Sequence, residues 1–194
     1  MDNPEPYVAK DGEKSDLFAA LRKRHACRSF DTSRLIPDDV LQKLIYAAHR
    51  APTGGGAPYR FLVIVKDPVQ LRLLKLLSPG LFGNPPVVFI ICSKTLLENE
   101  PLPKMDLEEC THFDAGAAAE NVVLAAYSLG LGACFVKSYS EAGVRRLLDL
   151  PPDTRTELMV SLGYPAQNEQ RPQRKGKIDK LTYVDRYGTM FHND

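Results

Sequence analysis

The chain has 194 residues, of which 44% are apolar and 25% charged. That composition excludes a disordered protein and leaves room for one core-forming domain without disulfides or metal staples. With 25 Lys and Arg against 24 Asp and Glu the formal net charge is +1, so no global field attracts nucleic acid or anionic lipid. The apolar run Val87–Cys92 is far too short to cross a bilayer, and the polar amino terminus has no secretory apolar segment. A cytoplasmic protein with no nucleic-acid and no membrane partner is expected. Cys27, Cys92, Cys110 and Cys134 show no C-x-x-C spacing, which argues against a zinc ribbon or a redox dithiol.

Residues 1–14 are polar and contain proline, a flexible amino-terminal arm; residues 15–194 read as a single domain. Ser15 caps a first helix with Leu17, Phe18 and Leu21 on one face, ending in the basic run Arg22–Arg24. Pro37 opens a second helix. Its Asp38 and Asp39 suit the positive helix start, and Val40, Leu41, Leu44, Ile45 and Ala48 form its apolar stripe. Pro52 and three glycines stop it. Phe61–Val65 and Val87–Cys92 read as strands covered on both faces, separated by a helix carrying Leu71, Leu74 and Leu77. Residues 94–111 read as a long surface loop. The Ala-rich stretch from Asp114 to Leu129 predicts a central helix buried on most sides, ended by Gly130. ACFV and ELMVSLGY supply two more strands, with a helix from Ser140 to Leu150 between them. The basic tail, about residues 165–194, closes with YVDRYGTMF, which is expected to dock against a partner subunit rather than fold on itself. Four strands among four or five helices make an α+β domain of α/β-type three-layer form.

Three segments carry candidate chemistry. Arg24 and Arg28 lie four apart, so a continuing helix or tight turn sets two guanidinium forks on one side, matched to a phosphate or other oxyanion. A solvated basic helix end explains the same residues, and spacing alone favours it. Pro52-Thr53-Gly54-Gly55-Gly56 lets backbone N–H groups approach a ligand. It lacks G-K-[ST] and precedes a strand, so it is no triphosphate loop, and a plain surface turn accounts for it equally. Leu129-Gly130-Leu131-Gly132 closes a helix and enters a strand, the reverse of the dinucleotide fingerprint. Asp106, Glu108, Glu109, Cys110, His112 and Asp114 crowd together without any metal-binding spacing, and an acidic helix start explains them better. No G-x-S-x-G is present, and neither a metal site nor a side-chain nucleophile is predicted.

In order, these segments resemble the nitroreductase family of FMN-dependent oxidoreductases. The resemblance rests on Arg24-His25-Ala26-Cys27-Arg28-Ser29-Phe30, on Ala47-Ala48-His49-Arg50-Ala51-Pro52-Thr53 with Pro58-Tyr59-Arg60-Phe61, and on Asp114 through Cys134. Leu147-Leu148-Asp149-Leu150-Pro151, Leu162-Gly163-Tyr164-Pro165 and the basic arm Lys175-Gly176-Lys177-Ile178 complete it. Ala26 stands where the family usually has a hydroxyl residue, and Tyr59 takes the aromatic place of glutamine-proline-tryptophan.

The resemblance implies a nitroreductase-like fold, a mixed central sheet flanked by helices, and a carboxy-terminal arm extending to the partner subunit of a homodimer. It implies FMN as cofactor, NAD(P)H as co-substrate and a small-molecule electron acceptor such as a nitroaromatic or quinone, reduced by ping-pong chemistry that the flavin carries. The implied cofactor-binding positions begin with Arg24, which with Arg174, Lys175 and Lys177 forms a phosphate clamp. His25 and Ala26 lie beside it, and Arg28 sits at the pyrimidine edge. Phe135 and Val136 lead to backbone N–H groups at Lys137 and Ser138 that reach N5 and O4. Pro52, Thr53, Gly54 and Gly55 cover the rest of the ring. A flavin-binding module without NAD(P)H turnover, or a flavin-dependent oxidase or dehydrogenase with another donor, fits the same residues.

Overall fold

The computed structural model describes residues 17–54, 59–94, 107–167, 169 and 182–190. Ser15, Gly55, Arg174, Lys175 and Lys177 lie outside the described residues. Five helices and four strands follow one another as α1 (Leu17–Lys23), α2 (Asp38–His49), β1 (Arg60–Val65), α3 (Pro68–Leu76), β2 (Val87–Lys94), α4 (Leu107–Ser128), β3 (Gly132–Val136), α5 (Glu141–Leu147) and β4 (Thr154–Gly163).

Local chemistry sets most of these boundaries. Pro37, in an extended conformation, precedes α2, and Asp38 and Asp39 occupy its first turn, where carboxylates complement the helix dipole. The carboxylate of Asp67 accepts the N–H groups of Val69 and Gln70, and Pro68 follows as the first residue of α3, where its missing N–H costs nothing. Ser140 caps α5 by accepting from Gly143 N–H. Gly130 adopts φ +73° as Leu131 N–H reaches back to the Ala126 carbonyl at 2.8 Å, so glycine lets the chain leave α4 and turn into β3.

Two expectations are corrected. The helix expected from Asp114 begins at Leu107, which takes Glu108 and Glu109 out of the surface loop and into a first turn that favours negative charge. The stretch near the carboxy terminus does fold locally. Tyr183 bridges Met190, Val184 N–H donates to Thr189 at 2.8 Å, and the rings of Tyr183 and Tyr187 lie 4.7 Å apart. Its apolar side chains nevertheless stay outside, with Tyr187 90% exposed.

The sheet order is β1-β2-β4-β3. All three ladders are antiparallel, and the parallel component of the expected mixed sheet is the bridge between Ala26 and Ala133. Alternation along the strands builds two cores. Phe89, Ile91, Val160 and Leu162 face α2 and α4, while Val88, Ile90 and Met159 face α3 and α5 with Leu74 and Val144. Large side chains so buried contribute about 1.5–3 kcal/mol each, enough to hold the sheet as a rigid floor between helical layers. The β2–β4 register breaks once: Ile91 faces Leu158 but Cys92 faces Thr156, leaving Glu157 as an extra residue. Such a bulge re-aims a side chain.

Candidate active site

Helix α1 ends at Lys23, and Arg24–Arg28 run on as an extended segment rather than a further turn. The helical pairing of Arg24 with Arg28 is thereby corrected. Alternation in an extended segment restores it, because residues two and four apart point to one side. Cys27 N–H donates to the Ala133 carbonyl at 2.9 Å, which lays this segment beside β3 in parallel. The fit is close. A Cβ added at Gly132 would stand 2.6 Å from Cys27 Cβ, so glycine there permits the approach.

Two adjoining hollows of about 230 and 190 Å³ open along this seam, both lined by Arg24, His25, Val123 and Ala133. Arg28, Ala26 and Phe135 complete the second. Phe135 points to the α4 side of the sheet and is 47% exposed in a strand otherwise buried. Arg24 Nε lies 2.6 Å from Glu120 Oε1 on α4. Arg28 holds its guanidinium over the Phe82 ring, 5.7 Å from the centroid, and its backbone N–H donates to Glu169 at 2.9 Å. Both ring nitrogens of His25 are shielded from solvent with no hydrogen-bond partner. Orphaned polar atoms of that kind are costly unless something else satisfies them. Cys27, by contrast, is chemically quiet: burial pushes its thiol up to about 12.

The remaining site positions fall into two places. Lys137 and Ser138 follow β3 on its exposed edge. Gly80 N–H donates to the Ser138 carbonyl at 3.1 Å, fixing that peptide, and Lys137 Nζ reaches the Glu157 carbonyl at 2.5 Å. Pro52, Thr53 and Gly54 sit against the first half of α4. Gly54 N–H donates to Asp114 at 2.7 Å, and the Tyr59 hydroxyl donates to the same carboxylate oxygen. Burial and that carboxylate together push the Tyr59 phenol up. Arg60 fastens this corner by donating to the carbonyls of Ala48, Ala51, Pro52 and Asp114 at 2.9–3.2 Å. The described residues therefore join Arg24, His25, Ala26, Arg28 and Phe135 in one seam. Pro52–Gly54 stand nearer the other end of α4, as Glu120 and Asp114 are six residues, about 9 Å, apart along the axis.

Sequence reading missed Glu120, Phe82 and Glu157, and set His112 aside with the acidic helix start. Glu157 is 4% exposed; one carboxylate oxygen accepts from the Ser93 hydroxyl, and the other lies 2.9 Å from His112 Nδ1. Its signal was present in the sequence, as a lone carboxylate inside the apolar strand TELMVSLG. The other three act through tertiary contacts that no local pattern encodes. Among the described residues, no group of three or more His, Cys, Asp or Glu side chains could hold a metal ion, and no helix is long and apolar enough to cross a membrane.

Comparison with known proteins agrees with this architecture. The nitroreductase family model matches residues 21–77 and 69–164. A protein of Methanothermobacter thermautotrophicus named as an NADH dehydrogenase/NAD(P)H nitroreductase is 30% identical over 162 residues, covering 80% of each chain. A Bacillus subtilis protein named FMN reductase (NADPH) is 28% identical over 187 residues, 84% of this chain and 71% of that one. The solved structure of an FMN-dependent nitroreductase from Clostridium difficile superposes with a TM-score of 0.75 at 22% identity, covering 88% of this chain and 99% of that one. With the family model spanning most of the chain and a relative 30% identical over 80% of both chains, this chain belongs to the nitroreductase family.

Proposed function

We propose that the protein is an FMN-dependent oxidoreductase that passes electrons from NAD(P)H to a small oxidised acceptor, such as a quinone or nitroaromatic, in a ping-pong cycle. The observation that carries this reading is the seam between Arg24–Arg28 and β3, where two guanidinium groups and the orphaned nitrogens of His25 face one elongated hollow. A phosphate of about two negative charges supplies the missing acceptors for such donors. The hollow runs on to the exposed ring of Phe135, an apolar wall suited to a flat ring, and Lys137 and Ser138 follow it two and three residues on in the chain.

FMN, when bound, supplies the two-electron redox step. The chain's residues bind and orient it. Arg24, with Arg174, Lys175 and Lys177 of the tail, holds the phosphate. His25 and Ala26 line its approach, and Arg28 stabilises negative charge at the pyrimidine edge. Phe135 and Val136 lead to the backbone of Lys137 and Ser138, which orients the reactive edge. Pro52, Thr53, Gly54 and Gly55 cover the ring without bulk. The working unit is a homodimer, a reading supported by the exposed Leu17, Phe18, Leu21, Tyr46 and Phe113 on α1, α2 and α4. Four free cysteines fit a reducing compartment such as the cytoplasm.

The test is the visible spectrum of the purified protein, before and after anaerobic addition of NAD(P)H. A yellow protein that bleaches on addition and recovers its colour with a quinone is expected. A colourless protein that takes up no FMN overturns the reading, and a bound flavin that NAD(P)H leaves oxidised overturns the donor.

A further inference from the structure

We propose that His112, aimed by the buried carboxylate of Glu157, is the proton donor to the acceptor reduced at this site; the proposal rests on the flavin reading above. The sequence gives no reason for a carboxylate inside β4, and burying one is costly unless it is paired. Here the bulge at Glu157 turns the side chain onto the α4 face of the sheet. One oxygen accepts from Ser93 and the other lies 2.9 Å from His112 Nδ1, which also stands 3.5 Å from the Thr111 hydroxyl. Lys137 Nζ holds the Glu157 carbonyl at 2.5 Å. An imidazole whose Nδ1–H is fixed by a carboxylate has a defined tautomer and presents Nε2 to whatever faces it. The His112 side chain is 49% exposed, so its free edge is open to a ligand.

Its place along α4 fits that task. His112, Gly116 and Glu120 are spaced four apart, one stripe of the helix. Glu120 holds Arg24 at one end, and a Cβ added at Gly116 would meet nothing within 4 Å, so the middle of the stripe is open. Eight residues of helix put His112 about 12 Å from Glu120, beyond the proposed phosphate site, and the Glu157 that holds it is itself held at its carbonyl by Lys137, the residue proposed for the reactive edge.

The step balances for a quinone. A reduced flavin bound there would supply two electrons as hydride to one quinone oxygen. The second oxygen, now anionic, takes the proton from imidazolium Nε2–H. One N–H bond breaks, one O–H bond forms, and a hydroquinone leaves neutral imidazole still donating Nδ1–H to Glu157. Water returns the proton.

Three measurements test this. FMN uptake is first read from the spectrum; a protein that takes up none overturns the flavin reading and this proposal together, before any acceptor is added. Pre-reduced enzyme is then oxidised anaerobically by 1,4-benzoquinone or by ferricyanide, which accepts electrons without a proton. His112→Gln is expected to slow the quinone reaction about 100-fold, the usual scale of general-acid catalysis, and the ferricyanide reaction less than threefold. Equal slowing of both, or of neither, overturns the proposal. Nitrogen NMR of the neutral imidazole, assigned by its loss in His112→Gln, is expected to report the Nδ1–H tautomer in the unmodified chain and a shift toward Nε2–H in Glu157→Gln. A wild-type ring already in the Nε2–H form overturns the positioning role even where a variant fails to fold.

Discussion

Arg24 Nε and Glu120 Oε1 lie 2.6 Å apart, so the first arginine of the extended segment is fixed to the central helix before any ligand arrives. The ion pair holds the side chain at the seam with β3, while Nε itself has no hydrogen-bond partner. Removing the guanidinium takes a charge-assisted partner from the phosphate, worth roughly 1.5–3 kcal/mol. Arg24→Ala is expected to weaken FMN binding about ten- to a hundred-fold, with turnover recovered by added FMN. Fluorescence titration of FMN reads this directly, and an unchanged affinity removes Arg24 from the phosphate site.

Arg28 is expected to fail differently. Its guanidinium rests over Phe82, and it lines the hollow together with Phe135, the part proposed above for the flavin ring rather than the phosphate. Arg28→Ala then removes a charge that favours the reduced, anionic ring. A loss of about 1.4 kcal/mol in that preference corresponds to roughly 30 mV in a two-electron potential. Spectroelectrochemistry at saturating FMN is expected to show a lower potential and slower reduction by NAD(P)H. Equal, small effects of Arg24→Ala and Arg28→Ala on both affinity and potential would return the pair to a solvated basic segment.

The fold was legible where pattern is strong: every strand, and every helix from α2 onward, lies where apolar periodicity and the caps Pro37, Ser140 and Gly130 put it. The start of α4 was not, because an acidic first turn and a charged loop look alike in sequence. Arg24–Arg28 were legible as a chemical pair but not as a conformation, since what stretches them is the Ala133 carbonyl, more than a hundred residues away. Glu157 stood out as a carboxylate in an apolar strand, yet its partner His112 is reached only through a bulge that no local rule announces.

Gly132 tests the closeness of the seam. Its Cβ would stand 2.6 Å from Cys27 Cβ, so Gly132→Ala forces the extended segment off β3. Overpacking of this kind costs typically 1–3 kcal/mol. A lower Tm together with weakened FMN binding is expected, whereas Gly116→Ala, at an open position, is expected to leave Tm unchanged or higher because alanine favours helix. If Gly132→Ala leaves both Tm and affinity intact, the seam is looser than described.

Arg60 is a fastener rather than a ligand. Its guanidinium donates to four carbonyls, of Ala48, Ala51, Pro52 and Asp114, and so ties the end of α2 and the turn after it to α4. Burial lowers its pKa while Asp114 and Tyr59 oppose the shift. Arg60→Ala is expected to destabilise the protein by about 2–4 kcal/mol, several charged hydrogen bonds lost together but not additively. Arg60→Lys is expected to recover only part, since one ammonium cannot span the fork. Urea unfolding reads both, and equal midpoints for Arg60→Ala and the parent chain would refute the role.

The thiols give a prediction with a defined pH window. Burial pushes Cys27 and Cys92 each up to about 12 and also raises Cys134. In the unfolded chain these thiols ionise near 8.5–9, so above that pH the unfolded state has lost protons that the folded state retains. Stability from these groups is fully present below about pH 8.5 and falls as pH rises toward 12. The thiolate is the nucleophile, so at pH 8 the folded protein is expected to alkylate quickly at Cys110 alone, the one cysteine that is not buried. Iodoacetamide labelling followed by peptide mass spectrometry checks this. Fast modification of Cys27 in the folded protein would mean that the segment from Arg24 to Arg28 leaves β3 readily, and the candidate site would then lack its rigid wall.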